Sequence, residues 1–185
     1  MNEQSAPLSV ATPVLILTGP PGVGKTTTAA ALADRHPASV HLEADTFFRF
    51  IHSGYVDPWR PESHGQNSTV MEIVAAAAAA YADAGYFTII DGIVIPGRFL
   101  EPVRDRLQAG GHEVAFVVAR APQEICAERL LGREGVDVLG GVDQVWAEFA
   151  DLGPLESHAV EVVDLSPEQA ADAIERLLAS GSLTV

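Results

Sequence analysis

The sequence predicts an open three-layer α/β/α sandwich, and three observations carry that expectation. Short strand-like runs alternate with helix-like stretches along the whole chain. Four of those runs are continuously apolar rather than alternating, as strands covered on both faces of a sheet are. The first run, Val14-Leu15-Ile16-Leu17, leads directly into Gly19-Pro20-Pro21-Gly22-Val23-Gly24-Lys25-Thr26 and then a helix-like stretch. That loop fits the G-x-x-x-x-G-K-[ST] phosphate-loop pattern, the Walker A motif.

The elements follow in order. Thr26 to Arg35 reads as a helix with Ala29, Leu32 and Ala33 on one face, closed by Pro37. Ser39 to Leu42 is a second strand, ending at Glu43-Ala44-Asp45. From Thr46 to Asn67 the chain is dense in aromatic and polar residues, and the span 46–70 is expected to form a binding segment. Ser68 to Ala84 reads as a helix, since the run Ala75 to Ala80 has the highest intrinsic helix propensity and Gly85 can end it. Phe87 to Ile90 is a third strand, followed by Asp91-Gly92. Pro102 to Ala109 is a helix and Val114 to Val118 a fourth strand. Pro122 to Leu131 is a helix that runs into the glycine-punctuated stretch Gly132, Gly135, Gly140 and Gly141. Val142, Val145, Trp146 and Phe149 recur at helical spacing and read as core. Val160 to Val163 is a fifth strand. Ser166-Pro167-Glu168-Gln169 has the form of a capping box with proline at the first helical position, opening a helix with Ala170, Ile174, Leu177 and Leu178 on one face.

Composition narrows the class. The 185 residues suit one domain spanning 1–185, with 1–12 expected to be a flexible tail. Hydrophobic residues make up 48% and charged residues 19%, a globular balance. The net charge of −14 disfavours a broad nucleic-acid surface, which needs clustered Lys and Arg. Lys25 is the sole lysine, and the single cysteine, Cys126, leaves no internal disulfide and no multi-cysteine zinc site. The N-terminus lacks a signal-peptide pattern, and no apolar run approaches the roughly 20 residues of a membrane span. A soluble cytoplasmic protein, monomer or homodimer, is expected.

The chemistry centres on the phosphate loop. Its glycines let successive N–H groups turn inward, and the following helix adds its unpaired N–H groups and positive dipole end. Lys25 can reach the β- and γ-phosphates, and the Thr26 hydroxyl can ligate magnesium. Asp45 and Asp91 each follow a strand end, on the edge where open α/β sheets bind ligands. Thr88-Ile89-Ile90-Asp91 fits a Walker B strand, whose carboxylate holds magnesium. Asp45 reads as a proton acceptor, a magnesium ligand or both, with a helix cap as the bland alternative. Arg129 and Arg133 share a helix face four residues apart, where their guanidinium groups can surround a migrating phosphoryl group; a surface ion cluster with Glu128 or Glu134 is the alternative.

In this order, Gly19–Thr26, Asp45, Ile90-Asp91-Gly92 and Glu128-Arg129-Leu130-Leu131-Gly132-Arg133 resemble the P-loop small-molecule kinases, which include the shikimate, gluconate and adenylate kinases. The chain looks particularly like the branch holding chloramphenicol phosphotransferase and the zeta toxins. The resemblance implies a P-loop NTPase sandwich with a five-stranded parallel sheet in order 2-3-1-4-5, and ATP and magnesium as cofactors. It implies that Asp45 activates the acceptor hydroxyl and that Arg129 and Arg133 close a lid, expected over 132–153, on ATP. The nucleotide would then lie on Gly19 to Thr26, with Thr27, Arg129 and Pro167. Its metal would meet Thr26, Asp45 and Asp91, and a small-molecule acceptor would meet Asp45, Phe48, Arg49, Trp59 and Arg98. The expected activity is transfer of the ATP γ-phosphate to a hydroxyl of a sugar acid, a nucleoside-like metabolite or an antibiotic. A toxin-like kinase of a nucleotide sugar, or a nucleotide switch with no acceptor of its own, are the competing readings. The chain departs from gluconate kinases around Asp57-Pro58-Trp59-Arg60 and lacks the zinc cysteines of the adenylate kinase lid.

Overall fold

A computed structural model describes residues 12–134 and 142–185. Five strands form one parallel sheet: β1 (Val14–Thr18), β2 (Ser39–Glu43), β3 (Phe87–Asp91), β4 (Val114–Arg120) and β5 (Ala159–Glu161), in the order β2-β3-β1-β4-β5. Among the described residues seven α-helices accompany them: α1 (Lys25–Ala33), α2 (Ala44–Arg49), α3 (His64–Asp83), α4 (Leu100–Ala109), α5 (Gln123–Glu134), α6 (Val142–Glu148) and α7 (Pro167–Ser180). Since all the strands run the same way, their C-terminal ends share one edge. The paired registers Leu17↔Asp91 and Glu43↔Asp91 bring the ends of β1, β2 and β3 level.

The continuous apolar runs are explained by burial on both faces. Ile16, Ile90 and Phe116 point to one side, where α3 supplies Val70, Val74 and Ala78 and α4 supplies Leu100, Val103 and Leu107. Leu15, Leu17, Ile89 and Val117 point to the other, against Ala29 and Leu32 of α1, Cys126 of α5 and Ile174 of α7. Each such Leu, Ile or Val removed from water contributes about 1.5–3 kcal/mol. The small side chains of Ala75 and Ala78, both fully buried, let α3 approach the sheet closely. Ser166 caps α7 in a full capping box with Gln169.

Several boundaries differ from the sequence-based expectation. α3 begins at His64 rather than Ser68, because a 3-10 turn at Pro61–Ser63 feeds into it and the Asn67 amide donates back to the Ser63 hydroxyl at 3.0 Å. The segment after β2 opens with the short helix α2. β5 is shorter than Val160 to Val163. Val162 still donates to the Arg120 carbonyl, but the chain then turns through a Leu165-to-Val162 bond. The chain end adds an unexpected strand-like contact: Phe116 donates to the Leu183 carbonyl and Val185 to the Val114 carbonyl, antiparallel to β4. The expected tail (bar Thr12) and residues 135–141 of the expected lid lie outside the described residues. Among the described residues no helix is long and apolar enough to cross a membrane.

Two glycines test the packing. Gly22 has φ +80°, and a Cβ there would fall 2.3 Å from the Cys126 carbonyl oxygen. Gly22→Ala is expected to cost about 1–3 kcal/mol through strain and overpacking. Gly65, inside α3, faces open space. Gly65→Ala is expected to stabilise by about 0.4–1 kcal/mol, by restricting the unfolded chain. Urea unfolding of both variants checks this pair, and an unchanged midpoint for Gly22→Ala would contradict the close approach.

Candidate active site

The phosphate loop leaves β1 at Gly19 and enters α1 at Gly24, which occupies the N-cap position in a left-handed conformation. Gly19 passes so near β4 that a Cβ would meet the Ala119 carbonyl oxygen at 2.3 Å. These contacts fix the loop between β4 and α5. The Lys25 ammonium donates to the carbonyls of Gly19 at 3.0 Å and Pro20 at 3.1 Å, which folds its side chain back across the loop. Thr27 bonds the Gly24 carbonyl at 2.9 Å.

Beside the loop lies a cavity of about 350 Å³. Pro21 to Thr28 line one side of it, Arg129 and Leu130 another, and Leu165, Pro167 and Ala170 a third. Gly19 and Pro20, expected among the nucleotide contacts, are absent from that lining. Their carbonyls accept from Lys25. Glu43, Asp45 and Asp91 also face this cavity.

Asp91 ends β3 and is 4% exposed. Its Oδ2 lies 3.1 Å from Nε2 of His41, a contact across neighbouring strands. The expectation for Asp91 did not include His41 or Glu43. Both depend on β2 lying next to β3 in this register, which residue patterns along one strand do not encode. Asp45 sits in the first turn of α2, exposed, while Glu43 holds the N-cap position and no side-chain cap bond forms. The capping alternative for Asp45 is therefore not what the helix uses. Among the described residues no three His, Cys, Asp or Glu side chains gather as a metal cage. The expected donors, the Thr26 hydroxyl and the Asp45 and Asp91 carboxylates, are hard oxygens, as is the neighbouring Glu43 carboxylate. Such a sparse set suits magnesium, which retains several waters and binds through one or two carboxylates plus phosphate.

Arg129 reaches from α5 to the Val23 carbonyl at 3.3 Å and the Val163 carbonyl at 3.4 Å. It thereby ties the phosphate loop to the segment after β5. Arg133 lies four residues further along α5, and its side chain lies outside the described residues. Beneath the loop, burial pushes the Cys126 thiol up, against the opposing pull of the Arg129 and Lys25 charges. The thiol therefore stays protonated and acts as packing.

A second, larger cleft of about 1170 Å³ adjoins the first. α2 contributes Asp45, Phe48 and Arg49, the following loop Tyr55, Pro58 and Trp59, and the loop after β3 Ile93, Ile95 and Arg98. α3 adds His64, Asn67 and Met71, and α6 adds Val145 and Glu148. All five residues expected to meet an acceptor thus line one cleft, though they come from three separate stretches of chain. The 56–61 wall is held by bonded side chains. Gln66 accepts from the Val56 N–H at 2.9 Å and donates to its carbonyl at 2.7 Å, while Asn67 donates to the Pro58 carbonyl at 2.8 Å. Burial, then the Asp57 and Asp45 charges, hold the Tyr55 phenol above its usual range, so it stays a neutral donor. Arg98 reaches Glu148 at 3.0 Å, joining two walls. Pro21, Asp45, Ile93 and Leu130 line both cavities.

Comparison with known proteins supports the fold that carries these cavities. The family described as AAA domain matches residues 14–150. No curated protein sequence matches the chain. Among solved structures, the tunicamycin resistance protein of Deinococcus radiodurans is 24% identical, with a TM-score of 0.66 over 90% of this chain and 95% of that one. A sugar kinase from a Janibacter species is 27% identical, with a TM-score of 0.63 over 93% and 95%. The APS kinase of Mycobacterium tuberculosis, solved with AMPPNP and APS, superposes with a TM-score of 0.70 over 91% and 98% at 16% identity. With a phosphate loop seated between β4 and α5 and a family match across most of its length, this chain belongs to the AAA-domain family and has the fold of the P-loop small-molecule kinases.

Proposed function

We propose that the protein is a magnesium- and ATP-dependent phosphotransferase that moves the γ-phosphoryl group of ATP to a hydroxyl of a small molecule. The observation that carries this reading is the position of Asp45 on the boundary between the two cavities. A carboxylate there faces phosphate on one side and an acceptor on the other. A nucleotide switch has no use for the second cleft.

In the proposed reaction the phosphate loop and the N-terminus of α1 hold the nucleotide phosphates through backbone N–H groups. Lys25 exchanges its two carbonyl partners for phosphate oxygens. The acceptor oxygen attacks the γ-phosphorus, the bond from that phosphorus to the β–γ bridging oxygen breaks, and ADP leaves. Asp45 takes the acceptor's proton, which raises the nucleophilicity of a weakly acidic alcohol. Arg129, which lines the same cavity as the phosphate loop, would meet charge spreading over the equatorial oxygens. Magnesium, held by Thr26 with Asp45 or Asp91, would supply charge neutralisation between the β- and γ-phosphates. His41 keeps one oxygen of Asp91 engaged and so orients the other.

Three substitutions test the assignment, each read by product mass from a mixed pool of hydroxyl compounds and by nucleotide affinity in parallel. Lys25→Ala is expected to reduce transfer by at least about 10²-fold in a protein that melts like the parent. Full activity in this variant would end the kinase reading. Asp45→Asn is expected to cost about 10²–10⁴-fold in transfer with ATP affinity largely kept. Recovery at high magnesium would assign Asp45 to the metal rather than to the proton, and unchanged transfer would place the base elsewhere. Arg129→Ala is expected to lower turnover on the order of 10²-fold and ATP affinity much less, because its main contact is with charge that develops during transfer. Wild-type turnover at saturating ATP would reduce Arg129 to the bridge between Val23 and Val163.

A further inference from the structure

The larger cleft is built of carbon where it is buried. Its buried lining residues include Ala44, Met71, Ile95, Phe99 and Leu130. The two polar exceptions, Ser63 and Asn67, are already engaged. The Ser63 hydroxyl lies 2.8 Å from the Pro58 carbonyl and 2.7 Å from the Arg60 carbonyl, and Asn67 donates to Pro58 and to Ser63. The charged groups belong to the more open part of the lining, and several are paired. Arg98 meets Glu148, and Arg60 meets Asp57. A sugar acid reaching the buried part of this space would exchange water for carbon there, which is costly without replacement bonds.

Two aromatic rings stand out on the same lining. Trp59 is 40% exposed and Tyr55 47% exposed, although both are large side chains facing a cleft. Large aromatic residues left partly exposed on a cleft in this way suit stacking with a planar group. The cleft, at about 1170 Å³, also exceeds the ~300–1,000 Å³ range typical of sites for drug-sized ligands. Its volume is therefore ample for a ring attached to the reacting alcohol.

We propose that the acceptor is a ring-bearing alcohol, whose planar aryl or base-like ring lies against Trp59 and Tyr55 while its hydroxyl reaches Asp45. This rests on the phosphotransferase reading for the role of Asp45, but not for the ring-binding surface itself.

The test uses the full chain with magnesium and AMP-PNP. Affinity is measured calorimetrically for three pairs of alcohols that differ by a ring: glycerol and 3-phenoxy-1,2-propanediol, ribose and uridine, methyl β-glucoside and 4-nitrophenyl β-glucoside. The ring-bearing member of at least one pair is expected to bind about tenfold tighter or more. Trp59→Leu is expected to remove that advantage and Trp59→Phe to keep most of it. Retained AMP-PNP binding reports that both variants are folded. Equal or tighter binding of the bare member in every pair overturns the proposal, as does absence of binding by all ring-bearing members or an advantage that survives Trp59→Leu. Product masses with ATP in the same mixtures separate the two readings. Ring-selective binding without any phosphorylated product sinks the kinase reading alone, and phosphorylation confined to the bare polyols sinks the acceptor class alone.

Discussion

The backbone contact between Gly22 and α5 is the constraint on which the rest of the site depends. A Cβ at Gly22 would lie 2.3 Å from the Cys126 carbonyl oxygen, and one at Gly19 would lie equally close to that of Ala119. The phosphate loop is thus clamped between β4 and α5 by the absence of side chains. Once it is seated, Arg129, one turn beyond Cys126, can reach the Val23 carbonyl. Leu130, its neighbour, faces both cavities. α5 is at the same time a core helix and a wall of the site, so loop geometry and the placement of positive charge are coupled through one contact.

The second cleft is held by a different set of forces. Its 56–61 wall has little regular secondary structure, so its backbone groups need partners from elsewhere. Gln66 and Asn67 on α3, with Ser63 just before it, provide them. Each such bond is worth about 0.5–1.5 kcal/mol net, but an unmatched buried partner costs about 1–3 kcal/mol. The wall is therefore anchored by a compact polar cluster that is itself unavailable to a ligand. That leaves the cleft's interior apolar and its charges towards the open part. The partition between a polar phosphate cavity and an apolar neighbour follows from how each backbone is satisfied.

Asp45 joins these two systems. It stands on a six-residue helix that starts directly at the end of β2. Gly92 permits this, since a Cβ there would lie 2.7 Å from the Ala44 side chain. The close passage of α2 over the end of β3 brings Asp45 to the same edge as Asp91. Parallel strand direction supplies the common edge, and a missing side chain allows the helix to lie across it.

Much of this was legible in the sequence by itself. The continuous apolar runs identified the strands because burial on both faces removes the polar alternation, and the glycine-lysine-threonine loop identified the phosphate site because few other backbones need that pattern. The capping box of α7 and the core role of Trp146 and Phe149 were local enough to read as well. Strand order came from resemblance rather than from pattern. The structure alone decided the features that depend on separation in the chain: His41 meeting Asp91, Glu43 level with Asp91, Leu183 to Val185 lying along β4, and Arg98 meeting Glu148. It also decided that the Gly19 and Pro20 carbonyls accept from Lys25. The physical reason is the same throughout. Periodicity reports which face of an element is buried, whereas register and the close approach of two backbones are settled only when all the elements pack together.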